Sequence, residues 1–437
     1  MFPDTEISAL KTPRGARTYL GAAVFFGLAI FLQLLRVGLG ISLDSLWAED
    51  GQVFLQEAMT HNATIVGGEY SGYLVVFERL VAEVASLLPV RSAPIVFSTL
   101  AAAAVALSGI TVWHASKGHI RDANLRAVLT TATVLAPVAG LESISSASYA
   151  PWYMVFASFW LILWRPRTWF GAVSGAGFLA LTTLSNPLMF LYMPVALLRI
   201  LVSRGWRDAL PVSSYLVAVI PQAATAATTN YDAVEPFWGS EVWAVLLQRV
   251  AEGSILGLRL GGVAWSHLGW TILVLSFILI AAGFILGLSH SVRRVRILAG
   301  VAITLGLVAF VFTVYQRGLA VQMKWPAGSW SGDAGRYAIL PVLLVISAAF
   351  ATIDGLRTRV DPRSARLLGA GAMAIVLVSI ASSYRFADPE VRGMPPWGAA
   401  VDQATRECQH RPSIRVAQIP ISPPGFVVTL PCGAIES

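Results

Sequence analysis

The sequence predicts an all-α, polytopic membrane protein of about eleven transmembrane helices, and three observations predict it. Of 437 residues, 56% are hydrophobic and only 13% are charged, against about 25% charged in soluble domains. Apolar runs of about 17–25 residues recur along the chain, each long enough to cross about 30 Å of hydrocarbon. Lys/Arg clusters interrupt those runs at Lys11–Arg17, Lys117–Arg126, Arg165–Arg167, Arg199–Arg207, Arg293–Arg296 and Arg357–Arg366. These short stretches hold 18 of the 31 Lys and Arg residues, and such clusters mark the cytoplasmic side of a membrane. The net charge of +7 is therefore a topology signal, and nucleic acid is not an expected partner.

Residues 1–17 form a basic, cytoplasmic N-terminus. The first apolar run, about 18–40, is too long for a signal-peptide core and lacks an obvious small-residue cleavage site, so it is read as a retained span. It delivers the first outer loop, 41–92. Within that loop Tyr73–Pro89 is apolar but carries Glu78, Arg79 and Glu83. Taken as a span it would put Lys117–Arg126 outside, so it reads as an amphipathic helix lying on the outer surface. Spans follow at about 93–115, 127–141, 149–164, 169–185, 187–202, 209–228, 263–288, 297–315, 336–353 and 366–384. The membrane domain is then 18–384, with further outer loops at 229–262 and 316–335. Parity places the tail, 385–437, outside. There Ile414–Ile419 and Phe426–Leu430 flank Ser422-Pro423-Pro424-Gly425, the pattern of a small hairpin-like cap. Both cysteines, Cys408 and Cys432, lie in this tail, where an outside compartment permits a disulfide between them.

The chemically suggestive pair is Glu49 and Asp50, in Trp47-Ala48-Glu49-Asp50-Gly51, about ten residues beyond the first span. One reading is a solvated pair at the start of a surface helix, where carboxylates favour the N-terminal dipole. The other is a base acting on a substrate anchored in lipid. Basic residues near the outer interface are the complementary signal: Arg36, Arg79, Arg249, Arg259, Arg317, Lys324 and Arg336. The planar guanidinium fork suits phosphate, although each of these residues alone also fits snorkelling or a salt bridge. Trp47 and Trp238 fit either an interfacial aromatic belt or stacking on a sugar. The six His lack zinc-ligand spacing. A divalent cation on Glu49 or Asp50 with Asp232, Glu235 or Asp333 is a candidate oxygen site, and no metal ligand is assigned. The inner loops carry no nucleotide-binding glycine motif.

The first span, the outer loop with Trp47-Ala48-Glu49-Asp50-Gly51-Gln52-Val53-Phe54, and Tyr70-Ser71-Gly72-Tyr73-Leu74 before an interfacial helix resemble bacterial type-C (GT-C fold) glycosyltransferases. Ser185-Asn186-Pro187 between two spans and Gly335-Arg336-Tyr337 opening a late one are similar to motifs of the same superfamily. The resemblance covers about residues 15–385. It implies an integral plasma-membrane enzyme using a polyprenyl-phosphate-linked sugar, a hexose or pentose, at the outer face, with a cell-envelope glycan, lipid or protein as acceptor. It implies Asp50 as base with Glu49 orienting the acceptor or taking the base role itself. Arg336, helped by Arg317 or Lys324, would hold the phosphate, and Trp47, Tyr73, Arg79 and Trp238 would line the substrate. A sugar leaving a lipid phosphate departs as a stabilised anion, so one base suffices and direct displacement inverts the sugar carbon. A transporter or flippase for lipid-linked saccharides, or a non-catalytic scaffold, is the alternative. A transport path calls for ionisable residues inside the spans, and the span interiors are nearly free of charge.

Overall fold

Within hydrocarbon a backbone must satisfy its own polar groups, so long apolar runs close into helices. A computed structural model describes residues 16–60, 67–228, 238–317, 335–357, 359–385, 393–411 and 413–436. Lys324, Asp232, Glu235 and Asp333 lie outside the described residues. In chain order the principal helices are α1 (Ala16–Val37), α2 (Val76–Ser86), α3 (Ala93–Ala115), α4 (Ala123–Val134), α5 (Ala150–Leu163), α6 (Trp169–Thr183), α7 (Met193–Leu201), α8 (Trp206–Thr228), α9 (Ser240–Leu246), α10 (Gly253–Leu268), α11 (Trp270–His290), α12 (Arg293–Gln316), α13 (Arg336–Leu356), α14 (Pro362–Ser382) and α15 (Trp397–His410). Among the described residues seven helices are long and apolar enough to cross a membrane: α1, α3, α8, α11, α12, α13 and α14. The predicted all-α, multi-pass architecture is therefore present, with α5, α6 and the segment Pro187–Leu201 that ends in α7 as shorter apolar helices.

Several predicted spans differ in their limits; the one over 187–202 is α-helical only from Met193 to Leu201, after a 3₁₀ stretch over Pro187–Tyr192. The run predicted over 127–141 stops being helical at Val134. Pro137 lacks an amide donor and disfavours helical backbone at the residue before it, which frees 135–149 for other work. The run predicted over 263–288 is broken at Gly269, whose φ of 52° and ψ of −132° are open to glycine alone. The chain therefore forms α10 and α11 in place of one straight helix. The amphipathic stretch within the first long loop condenses to α2, which buries Phe77, Val81, Ala82 and Ala85 and exposes Leu80 and Val84.

Three of the basic clusters, 117–126, 293–296 and 357–366, meet at one end of the bundle. The Asp354 carboxylate accepts the Arg121 and Asp122 amides at 2.8 and 3.0 Å, Arg357 pairs with Asp122, and Arg294 donates to the Gly118 carbonyl at 2.5 Å. The 23 residues of α3, at 1.5 Å per residue, separate this end from the acidic loop. At that other end Ser98 of α3 donates to the Ser42 carbonyl at 2.5 Å. Helix α13 runs through the core, with every residue from Tyr337 to Leu344 buried.

The tail packs as a cap on the acidic-loop end. Helix α15 is followed by a two-stranded antiparallel hairpin, Val416–Pro420 with Val427–Pro431, in which Ala417 faces Leu430 and Ile419 faces Val428. The inward residues of both strands, Ala417, Ile419, Val428 and Leu430, are buried, and the residues between them are more exposed. A disulfide joins Cys408 of α15 to Cys432 just after the second strand, 24 residues away. Cross-linking a loop of that size stabilises by roughly 3 kcal/mol through the unfolded state. A Cys408→Ser/Cys432→Ser variant should therefore lose hydrogen-exchange protection over 416–431 by about two orders of magnitude while α13 keeps its own. Equal loss across both segments would contradict a locally stapled cap.

Candidate active site

The acidic loop is held from both sides. On the cap side, the Asp44 carbonyl and carboxylate accept the Trp397 and Gly398 amides, each at 2.7 Å. The Ala48 amide donates to the Ser422 carbonyl at 2.5 Å, and the Ser422 amide returns a bond to the Leu46 carbonyl at 3.2 Å. Ala48 has a φ of 36°, a left-handed conformation that costs a non-glycine residue about 1 kcal/mol or more. The turn after it, Asp50–Leu55, is π-helical, a local form common at functional sites. Gly51 lets it lie flush on the hairpin, since a Cβ there would fall 2.7 Å from Ile421 and 2.8 Å from Val428. The Gln56 side-chain carbonyl accepts the Thr429 amide at 2.7 Å.

On the bundle side, the segment freed by Pro137 closes over Asp50. One Asp50 oxygen accepts the Ala147 amide at 3.0 Å; the other accepts the Ser148 amide at 2.8 Å and the Ser148 hydroxyl at 2.5 Å. The residue is 1% exposed. Burial pushes its carboxyl up to about 6, against the pull of the bonds from Ser148 and Ala147. The group is thus mostly ionised at neutral pH, fixed in orientation, and basic enough to take a proton.

Glu49 belongs to a second, adjoining chain of contacts. Its carboxylate accepts the Tyr149 hydroxyl at 2.7 Å. The Tyr149 ring lies against the Arg336 guanidinium, 4.5 Å from its centre, and Tyr337 covers it at 4.8 Å. Arg336 is ion-paired with Glu142, its amide reaches the same carboxylate at 3.3 Å, and a second nitrogen donates to the Tyr337 hydroxyl at 3.2 Å. A close backbone approach makes this clamp: a Cβ on Gly335 would fall 2.4 Å from the Gly140 nitrogen. Only glycine at 335 lets Arg336 meet Glu142.

Tyr73 and α2 form the third wall. Tyr73 opens a short strand, Tyr73–Leu74, paired with Glu69–Tyr70. Burial raises its phenol well above the usual range; Glu78 adds to the rise, and Arg317 and Arg336 oppose it. Both cations therefore act on the same ring. Arg79 serves a different purpose: it pairs with Glu57 at 2.6 Å, donates to the Gly68 and Glu69 carbonyls at 2.9 Å each, and lies over Phe54. It staples the loop instead of presenting a free cation. Arg36, also a candidate cation from its position, donates to the carbonyls of Ala136, Ser383 and Tyr384 at 3.2–3.3 Å and joins helix ends.

The sequence-predicted residues thus divide. Glu49, Asp50 and Arg336 are brought together through Ser148 and Tyr149, and Tyr73 lies within electrostatic reach of Arg317 and Arg336. Trp47 borders the site, lining with Asp50, Ser42, Ser45 and Ser145 a cavity of about 30 Å³, room for one water. Trp238 stands elsewhere, edge-on to Trp243 and Tyr315 at 5.8 Å each, in an apolar groove between α9, α11 and α12. Glu142, Tyr149, Ser148 and Glu78 join this constellation without standing out as site residues in the sequence. The readable signal was an acid and a serine run, Glu142-Ser143-Ile144-Ser145-Ser146-Ala147-Ser148, in a connection between two apolar stretches. Among the described residues no group of three or more His, Cys, Asp or Glu is placed to hold a metal ion.

No family model matches this sequence, and comparison with curated proteins finds no match. Among solved structures the chain is similar to ArnT from Cupriavidus metallidurans. The apo form overlaps at 15% identity and TM-score 0.43, covering 84% of this chain and 76% of that one. The form bound to undecaprenyl phosphate overlaps at 15% identity and TM-score 0.42, covering 85% and 76%. An Archaeoglobus fulgidus oligosaccharyltransferase, in complex with Zn and sulfate, overlaps at 11% identity and TM-score 0.38, covering 89% of this chain and 55% of that one. At these scores the likeness assigns neither a family nor an activity.

The Arg336–Glu142 pair is partly buried, its side chains 21% and 11% exposed, so breaking it from one side leaves a poorly compensated charge and costs about 1–3 kcal/mol. Glu142→Ala and Arg336→Ala should each lower the thermal midpoint in detergent markedly, and the double variant should lose less than their sum. Strict additivity would contradict the clamp.

Proposed function

We propose that the protein is an inverting glycosyltransferase that moves a sugar from a polyprenyl-phosphate donor to a cell-envelope glycan, lipid or protein acceptor. The observation that carries the proposal is the buried Asp50 carboxylate, oriented by three donors at the loop end of a membrane bundle, beside the Arg336 cluster. The resemblance of Trp47–Phe54 and Gly335–Tyr337 to type-C glycosyltransferase motifs supports the same reading. Parity of the spans and the charge rule favour the extracytoplasmic face of the plasma membrane for this end.

Transfer from a lipid phosphate requires two things. The acceptor hydroxyl must lose a proton as it attacks the sugar carbon, and the departing phosphate must be met by positive charge. Asp50 takes the proton. Glu49, fixed through Tyr149, orients the acceptor. Arg336 has five N–H donors, of which Glu142 and Tyr337 engage only some, so its remaining edge is the phosphate contact, with Arg317 adding charge. Lys324 remains a candidate helper by its place in the sequence. With one base and no nucleophile, the acceptor attacks directly and the anomeric configuration inverts.

Asp50→Asn should reduce transfer from labelled polyprenyl-phosphate sugars by about 10²–10⁴-fold while donor binding persists, and Glu49→Gln should cost less. Unchanged turnover in Asp50→Asn would remove Asp50 from the base role. The pH dependence has a definite sign. The base works ionised, so the rate should fall about tenfold per unit below about pH 6, where Asp50 protonates, and level off towards neutral pH. A rate that rises on acidification through that range would contradict the assignment.

A further inference from the structure

Among the described residues two buried acids, Glu78 and Glu252, have no task in transfer, and Glu78 is the one whose helix packs on the Asp50–Leu55 turn. Glu78 sits on α2, facing inward at 3% exposure. Its Oε2 has no hydrogen-bond partner among the described residues. It lies within electrostatic reach of Asp50 and Arg79 and of Tyr73, the ring that Arg317 and Arg336 also influence. Helix α2 packs against the Asp50–Leu55 turn, so Glu78 is buried on the same side of the site as the base.

Its surroundings decide its charge. Asp50 is the acid facing it from the Asp50–Leu55 turn, and it carries three donors that keep it ionised. Glu78 has no comparable set, and Arg79 is committed to Glu57 and two carbonyls. The other packed elements offer no counter-charge. Helix α3 has His114 near its far end and no other charged or titratable residue, α6 has none, and Arg91 pairs with Asp402. Two neighbouring carboxylates in unlike environments separate into an ionised member and a protonated one. Burial accordingly holds the Glu78 carboxyl well above its ordinary range, with Asp50 adding to the rise.

A phosphate-bearing substrate adds a constraint. An ionised Glu78 would repel the group whose charge grows as the sugar departs, whereas a protonated one offers a donor with nothing else to bond. We propose that Glu78 stands in the site as a neutral carboxylic acid and donates a hydrogen bond to the phosphate of the lipid-linked donor. The inference rests on the transferase reading and deepens it by assigning the donor-phosphate contact to an acid as well as to arginine. No proton need be transferred: the O–H bond stays intact while the phosphate accepts.

The test uses the full chain in lipid nanodiscs, comparing wild type with Glu78→Gln, which keeps a neutral donor, and Glu78→Ala, which removes it. The wild-type minus Glu78→Gln infrared spectrum at pH 7 should contain the carbonyl stretch of a protonated acid. That band should shift when polyprenyl phosphate is added and stay put with inorganic phosphate. Glu78→Gln should keep donor turnover within about threefold, while Glu78→Ala loses about tenfold to a hundredfold, the worth of one bond to a charged group. A wild-type alkaline limb, from ionisation of Glu78, should vanish in Glu78→Gln. Absence of the acid band, or a band indifferent to bound polyprenyl phosphate, overturns the proposal. So does a Glu78→Gln variant as inactive as a folded Glu78→Ala. If wild type binds polyprenyl phosphate with the band shift yet turns over no donor, the transferase reading fails and this contact stands. If it binds none, both fail.

Discussion

Both oxygens of Asp50 are claimed by donors from a single short segment, the Ala147 and Ser148 amides and the Ser148 hydroxyl. Much else in the molecule can be understood as making that arrangement tolerable. A buried carboxylate without partners would neutralise itself; one with three donors keeps a charge and a direction. For those donors to arrive, α4 must end early, and Pro137 ends it. The backbone must then run close enough to α13 for Gly140 to touch Gly335, and the same approach delivers Glu142 to Arg336. Base and cation are therefore set by one stretch of fifteen residues, 135–149, and a shift in it would move both.

The cap acts on the other half of the arrangement. Residues 44–56 span only a few turns, and Leu46, Phe54 and Leu55 are buried against the rest of the protein, so their conformation is fixed by what they lie against. The hairpin supplies backbone partners for Leu46 and Ala48 and a side-chain contact for Gln56, and its Ile421 and Val428 press on Gly51. The strained backbone at Ala48 is held by these bonds, as an over-determined conformation must be. The disulfide and the apolar face of the hairpin thus bear on the chemistry indirectly, through the geometry of the loop that carries Glu49 and Asp50.

Some of this could be read from the sequence and some could not, for physical reasons. The helices are legible because the demand for long apolar runs is local, and the Glu49-Asp50 pair stands out against so apolar a chain. Arg336 is legible because a cation has no reason to sit at that end of a span. The partners that give these residues their properties are not legible. Asp50 meets Ser148 across 98 positions and Arg336 meets Glu142 across 194, and no periodicity encodes such a meeting. Arg79 misleads in the opposite direction: its position suits a ligand, but Glu57 and two carbonyls occupy it. Glu78 looked like the polar face of a surface helix, and only burial of that face gives it another meaning.

The central claim is that a single oriented base drives direct displacement at a sugar carbon, and the stereochemical course tests it most directly. A polyprenyl-phosphate sugar carrying ¹³C at its anomeric carbon would be incubated with the protein and envelope acceptor, and the configuration of the product read by NMR. The account predicts the opposite anomer to the donor. Retention would require a covalent sugar intermediate on a nucleophile, and would contradict Asp50 acting as the base of a one-step transfer.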